Sequence, residues 1–176
     1  MVKKEVNKKA QIWVETVIYT LIALSLIGAV LSFAAPKIQE LQDKAVIDQT
    51  ITVMTEIDNV ITSVVHGGVG NKRIIDLTIK QGSLKINAES EEIVFEMQSS
   101  YIYSQIGEEV NIGKITALTE ESGSENKITL TANYSEYDLN HEDKNEIKTA
   151  TPSPTPYKFS VENNGGTKTI VNFVIS

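Results

Sequence analysis

Residues Ile12 to Ala35 read IWVETVIYTLIALSLIGAVLSFAA, a 24-residue apolar stretch whose one charge is Glu15. As a helix it would rise roughly 36 Å at ~1.5 Å per residue, enough to cross a bilayer core of about 30 Å. Few soluble folds can hide such a block, so it constrains the chain more than any other feature. Lys3, Lys4, Lys8 and Lys9 precede it, and nothing equally basic follows closely. The positive-inside bias therefore places the N-terminus in the cytoplasm and the C-terminal part outside, with one pass through the cell membrane.

Three readings of this segment compete. A single-pass anchor accounts for the length and the lysines. A secretory signal peptide accounts for the lysines, with Ser32-Phe33-Ala34 as its cleavage site, but its apolar region would exceed the usual ~7–15 residues. Neither explains Glu15. A carboxylate at the centre of a membrane helix costs at least ~2.5–3.5 kcal/mol, less near the interface, and such an acid marks function by default.

The string Lys8-Lys9-Ala10-Gln11-Ile12-Trp13-Val14-Glu15, followed by about twenty apolar residues, resembles the class III signal peptide of archaeal type IV pilins and archaellins. In that family a membrane aspartyl peptidase cuts behind a short basic leader, and the mature chain often begins with Gln and carries Glu at its fifth position. The resemblance implies a leader of residues 1–10 ending at Ala10, a new N-terminus at Gln11 and an assembly role for Glu15. Leaders of this family commonly end in Lys/Arg-Gly, and Ala10 departs from that. The match covers residues 3–35, about a fifth of the chain. It implies a structural subunit, assembled through its helix with copies of itself or related pilins. Its other partners would be a prepilin-type peptidase, a membrane assembly platform and, before assembly, the lipid bilayer. The new α-amino group, with an ordinary pKa of about 7.7–8.0, would be cationic and able to pair with Glu15. The alternative is a membrane-anchored extracellular β-domain, a minor pilin or binding module; a hydrolase is a distant third.

Beyond Pro36, which tends to kink or stop a helix, Ile38, Leu41, Ala45, Val46, Ile51, Met54, Ile57, Asp58, Ile61, Val64 and Val65 recur at mostly three- and four-residue steps. Lys37, Glu40, Gln42, Asp43 and Lys44 fall on the intervening polar face. This predicts an amphipathic helix over 36–66 that continues into a head and ends at His66-Gly67-Gly68-Val69-Gly70. Small residues in the apolar block (Ala23, Gly28, Ala29, Ala34, Ala35) allow close helix approach.

From Arg73 the period becomes two. Ile75, Leu77 and Ile79 alternate with polar residues, Gln81-Gly82 makes a turn, and Leu84 and Ile86 resume. Ile93–Met97, Ile112–Leu118, Lys127–Tyr137, Tyr157–Val161 and Lys168–Ile175 read as further strands, with a hairpin at Asn163–Gly166. Leu139–Lys148 reads as a charged loop and Thr149–Pro156 (TATPSPTP) as an extended spacer. The fold class is thus α+β: a long N-terminal helix, half transmembrane over 11–35 and half amphipathic, then an all-β antiparallel, sandwich-like head over 70–176. That architecture is pilin-like.

The chain carries −7 overall, and setting aside the +3 of residues 1–10 leaves −10 for 11–176. Phosphate binding needs clustered Lys and Arg, so nucleic acid is excluded as a partner. Without cysteine there is no disulfide, thiol nucleophile or Cys-ligated metal. His66 and His141 lack a second ligand at metal-binding spacing, and no phosphate loop or nucleophile elbow occurs. His141-Glu142-Asp143 reads as a solvated loop, and Glu89, Glu91 and Glu92 as exposed charges. Neither a catalytic residue nor a cofactor emerges. Asn133-Tyr134-Ser135 is the one N-glycosylation sequon, placing a candidate glycan on Asn133.

Overall fold

A computed structural model describes residues 3–176, with side chains described from Gln11 onward. Of the expected leader, Met1 and Val2 lie outside the described residues, as do the side chains of 3–10, including Ala10. Two compact units make up the chain, Met1–Glu40 and Leu41–Ser176.

One helix, α1, runs over Lys3–His66. Pro36 lies inside it and does not end it, so the helix continues toward the head as the sequence pattern predicts. Only one amide donor is lost at Pro36, and the turns on either side keep theirs. The C-terminus follows expectation: Gly67 N donates to Ser63 O (3.0 Å), Gly68 N to Val65 O (3.2 Å), and Gly68 adopts φ +86°. Glycine enters that left-handed region without the Cβ penalty of other residues.

In the second unit α1 buries Val60 and, along one seam, Asp43, Ile47, Met54, Ile57, Ile61 and Val64, with Thr50 half-buried. These recur in alternating steps of four and three, the seam spacing of a helix packed along its length. Ile38, Leu41 and Ala45, assigned to the apolar stripe by residue type, are exposed instead. Asp43, assigned to the polar face, points inward: its Oδ2 accepts from Ser100 N (2.7 Å) and Ser100 Oγ (2.8 Å). Helical phase, not residue type, decided which positions faced the sheet.

Ten strands follow: β1 Lys72–Leu77, β2 Ser83–Asn87, β3 Glu92–Ser99, β4 Glu109–Ile112, β5 Ile115–Ser122, β6 Glu125–Asn133, β7 Asp138–His141, β8 Ile147–Ala150, β9 Tyr157–Gly165 and β10 Ile170–Ile175. One sheet has the order β4-β5-β6-β3-β2-β8 and is antiparallel throughout; the other, β1-β9-β10-β7, is mixed. The expectation of a wholly antiparallel head is therefore corrected at β7, which runs parallel to β10 from Asp138↔Ile170 to His141↔Phe173. After β6 the chain leaves the six-stranded sheet and lays β7 on the edge of the other. A strand arriving from another sheet is not bound to the antiparallel sense that a tight hairpin imposes.

The charged segment Leu139–Lys148 is not a loop. It contains the end of β7 and the start of β8, and two of its charges, Glu142 and Asp143, form a two-residue turn. His141 and Lys144 bridge in both directions (His141 N to Lys144 O 2.8 Å, Lys144 N to His141 O 3.0 Å), with Glu142 at φ 51° and Asp143 at φ 62°. Two consecutive left-handed residues mark a type I′ turn, usually signalled by Asn-Gly. Glu-Asp gave no such signal. Likewise Ile112–Leu118, read as one strand, is split by Gly113-Lys114 into β4 and β5.

Both sheets and the α1 seam contribute to a single core that includes Phe95, Phe159 and Phe173. The rings of Phe159 and Phe173, on adjacent strands, lie 5.5 Å apart at 39°. On the opposite face of the six-stranded sheet, Glu96 binds Lys127 (2.5 Å) and also pairs with Lys85. Hydrogen bonds from Lys127 and then Lys85 hold the Glu96 carboxyl below its ordinary 4.5. A lowered carboxyl pKa favours folding above the unfolded value, and that contribution disappears as pH falls through the folded one.

Two outcomes follow from this packing. Glu142→Asn should raise stability in chemical denaturation by part of the ~1–2 kcal/mol that left-handed backbone costs an ordinary residue; an unchanged midpoint would contradict the strained turn. Glu96→Gln should destabilise the head at neutral pH, and the gap to the native chain should close as pH drops below 4.5. A gap with no dependence on pH across the acid range would show that charge pairing is not its source.

Candidate functional site

The sequence feature that sets the chain apart is the surface of α1 in the first unit. Every residue from 11 to 33 is exposed, from Val17 at 38% to Phe33 at 80% among the large apolar ones. This stretch is long and apolar enough to cross a membrane, and none of it is buried within the protein. Its hydroxyls are already satisfied. Thr16 Oγ1 donates to Ile12 O (2.9 Å), Thr20 Oγ1 to Thr16 O (2.8 Å), Ser25 Oγ to Leu21 O (2.8 Å) and Ser32 Oγ to Gly28 O (2.9 Å). Bonded back to the preceding turn, these groups present their carbon side outward and behave as small apolar residues. Around Gly28 a Cβ would meet nothing within 4 Å, so the helix backbone is bare there.

Glu15 is the exception on this surface. Gln11 Nε2 donates to Glu15 Oε1 at 3.3 Å, across one helical turn. Gln11 and Glu15, which the sequence singled out together, are thus neighbours on one side of the helix. One neutral amide relieves little of the cost of a carboxylate in hydrocarbon, because an amide carries no charge to set against it. Pro36 sits beyond the apolar stretch, inside the helix.

Asn133, the sequon residue, closes β6 and is exposed. Its Oδ1 accepts from Ser135 N (2.9 Å) and its Nδ2 lies 3.4 Å from Glu92 Oε1. Tyr134 between them is buried. Its phenol is held above its ordinary pKa by burial first and then by the charge of half-buried Asp58 on α1.

Other acidic and histidine positions differ from their sequence reading. His141, expected in a solvated loop, is 2% exposed on the inner side of β7, with Nδ1 3.2 Å from Glu146 Oε1. Glu142 and Asp143 turn away from it, and Asp143 Oδ1 accepts from Asn164 Nδ2 (2.8 Å). Glu91, expected as an exposed charge, is half-buried at φ 58° and accepts from Leu139 N (2.5 Å), tying β7 to the turn before β3. Among the described residues no group of three or more His, Asp and Glu is placed to hold a metal ion. A shallow apolar cleft lined by Val46, Val53, Met54, Leu77, Leu84 and Phe95 has Lys80 as its sole ionisable wall residue.

Sequence reasoning missed the polar clasp at the base of the head. Besides the Asp43–Ser100 bonds, Ser104 N and Oγ both lie 3.0 Å from Thr119 Oγ1, and Thr119 N donates to Ser104 Oγ (3.0 Å). Gly107 N adds a bond to Thr119 O (2.8 Å). Lys44 Nζ meets Asp48 (2.7 Å) and lies 5.7 Å from the Tyr101 ring centroid. The signal available was the position of Asp43, four residues before Ile47 on the buried seam.

No family model, curated protein or solved structure matches this chain.

The bare surface at Gly28 is where another helix could come closest. Gly28→Leu should leave membrane insertion intact and reduce cross-linking between copies severalfold, since a bulky side chain blocks close backbone approach. Unchanged cross-linking would show that this side faces only lipid.

Proposed function

We propose that this chain is a structural subunit of an extracellular type IV pilus-like or archaellum-like filament, assembled through α1 after removal of residues 1–10. The observation that carries the reading is a single one. A membrane-length apolar helix, exposed on all sides, bears one acid, Glu15, one turn from Gln11.

Cleavage after Ala10 would convert the Gln11 amide nitrogen into an α-amine, cationic below its ordinary pKa of about 7.7–8.0. Glu15 would then gain the charge partner that the Gln11 side chain cannot supply. Pairing within one chain lowers the desolvation cost; pairing between chains in addition rewards one axial register over its neighbours. The apolar helix, left attached by a cut on its cytoplasmic side, would exchange lipid for identical helices. Van der Waals packing between such helices replaces lipid contacts of similar strength, so small residues and buried charge pairs determine which packing wins. The β head would lie outside the cell. The reading involves the bilayer, a prepilin-type peptidase, an assembly platform and further copies of the chain, and it requires no catalytic group.

Mass spectrometry of the protein from its native membrane or shed filaments tests the first step. A mature chain starting at Gln11 supports the reading; a start at Met1 leaves a single-pass anchor carrying a β domain, and a start near Ala35 a secreted domain. The second step predicts that Glu15→Ala inserts normally and is absent from filaments. Normal incorporation would remove Glu15 from the assembly mechanism.

A further inference from the structure

We infer that β1 and β4, edge strands of the two sheets, pair with each other between copies of this chain: β1 of one head receives β4 of the next, with Arg73 set against Glu109. The inference deepens the assembly proposed above and rests on it, because the contact orders heads whose helices have already gathered.

Four strands end a sheet in the unit Leu41–Ser176: β4 and β8 in one sheet, β1 and β7 in the other. A strand in that position keeps one row of amides and carbonyls unused by its own sheet and is a template for a further strand. Two of the four are poor templates. No residue of β7 is exposed. The chain leaves β8 through Pro152, Pro154 and Pro156, which lack the amide that a ladder needs. By contrast β1 exposes Lys72, Arg73, Ile74 and Asp76, and β4 exposes Glu109, Val110 and Asn111. Each of these edges carries an uncovered aliphatic, Ile74 at 62% and Val110 at 42%.

Charge selects the partner. Arg73 is the only arginine in the chain, and among the described residues it joins no ion pair. Its neighbours are engaged across to β9, Lys72 with Glu162 (3.0 Å) and Asp76 with Lys158 (2.5 Å). Glu108 and Glu109 are exposed and, among the described residues, also join no ion pair. Pairing either edge with its own kind gives Arg73 no carboxylate beyond Asp76, which Lys158 already holds. Laid parallel with Ile74 opposite Val110, β1 and β4 bring Arg73 to Glu109 and Lys72 to Glu108. Opposite charges and aliphatic pairs across neighbouring strands are both favourable.

The pairing also fits an open assembly. Contact between two identical edges closes as a dimer, whereas β1 on β4 leaves one of each free and so propagates. β4 is four residues long, and such an edge covers far less than the ~1,200–2,000 Å² of a free-standing interface. Copies confined by their helices supply the effective concentration that so small a contact needs.

The chain has no cysteine, so disulfides report only placed pairs. Neighbouring strands lie about 4.7–4.9 Å apart, within the ~4.4–6.8 Å between Cα atoms that a disulfide spans. Full-length Ile74→Cys and Val110→Cys chains would be produced together, and their filaments and membranes oxidised. The expected result is dimers joined from position 74 to position 110, severalfold above 74–74 and 110–110 dimers. Arg73→Glu in the Ile74→Cys chain should lower that yield severalfold, and Glu109→Arg in the Val110→Cys chain should restore it. Failure of the second exchange to restore the yield would overturn the assigned pairing. Predominant 74–74 dimers would show β1 pairing with itself and overturn it too. Filaments without an excess of the 74–110 dimer would overturn the inference and leave assembly through α1 standing. Neither filaments nor dimers would overturn both.

Discussion

Water is the wrong solvent for the first unit of this chain, and much else follows from that. Fourteen large apolar side chains between Ile12 and Phe33 are exposed. At ~1.5–3 kcal/mol for each one buried, covering them is worth on the order of 20–40 kcal/mol. A whole domain is typically stable by ~5–15 kcal/mol. No internal packing change could outweigh a term of that size, so the helix must be covered by lipid, by other helices, or by each in turn.

Within such a surface the polar groups become decisive. The threonine and serine hydroxyls are bonded to the preceding turn and offer neighbours only carbon. Glu15 brings the one carboxylate to this stretch, where Gln11 donates a hydrogen bond to it. Among lipid tails and leucines, which attract one another about equally, a single charge can specify register where apolar packing cannot.

The head is organised around the seam that α1 presents from Asp43 to Val64. Its polar members act as fixed points. Asp43 anchors the loop after β3, and Asn163 on β9 reaches the carbonyls of Val64 and Val65. A buried acceptor left without a donor costs roughly 1–3 kcal/mol, so each of these contacts resists sliding of helix against sheet. Glu91 and the Glu142–Asp143 turn do the same for β7, the strand that changes sheets.

The sequence alone determined the membrane-length apolar block, its acid, the continuation of a helix toward His66, and the onset of strands near Arg73. These depend on local periodicity and on the transfer of side chains out of water, and both are written in residue order. Tertiary structure decided the rest. It set the phase of the buried seam, which turned Asp43 inward and left Leu41 outside. It also set the parallel pairing of β7 with β10 and the burial of His141. Such features arise from partners distant in sequence, as Asp43 is from Ser100 by 57 positions. Whether a charged residue is solvated or held depends on which donor the fold brings to it, and no local pattern encodes that.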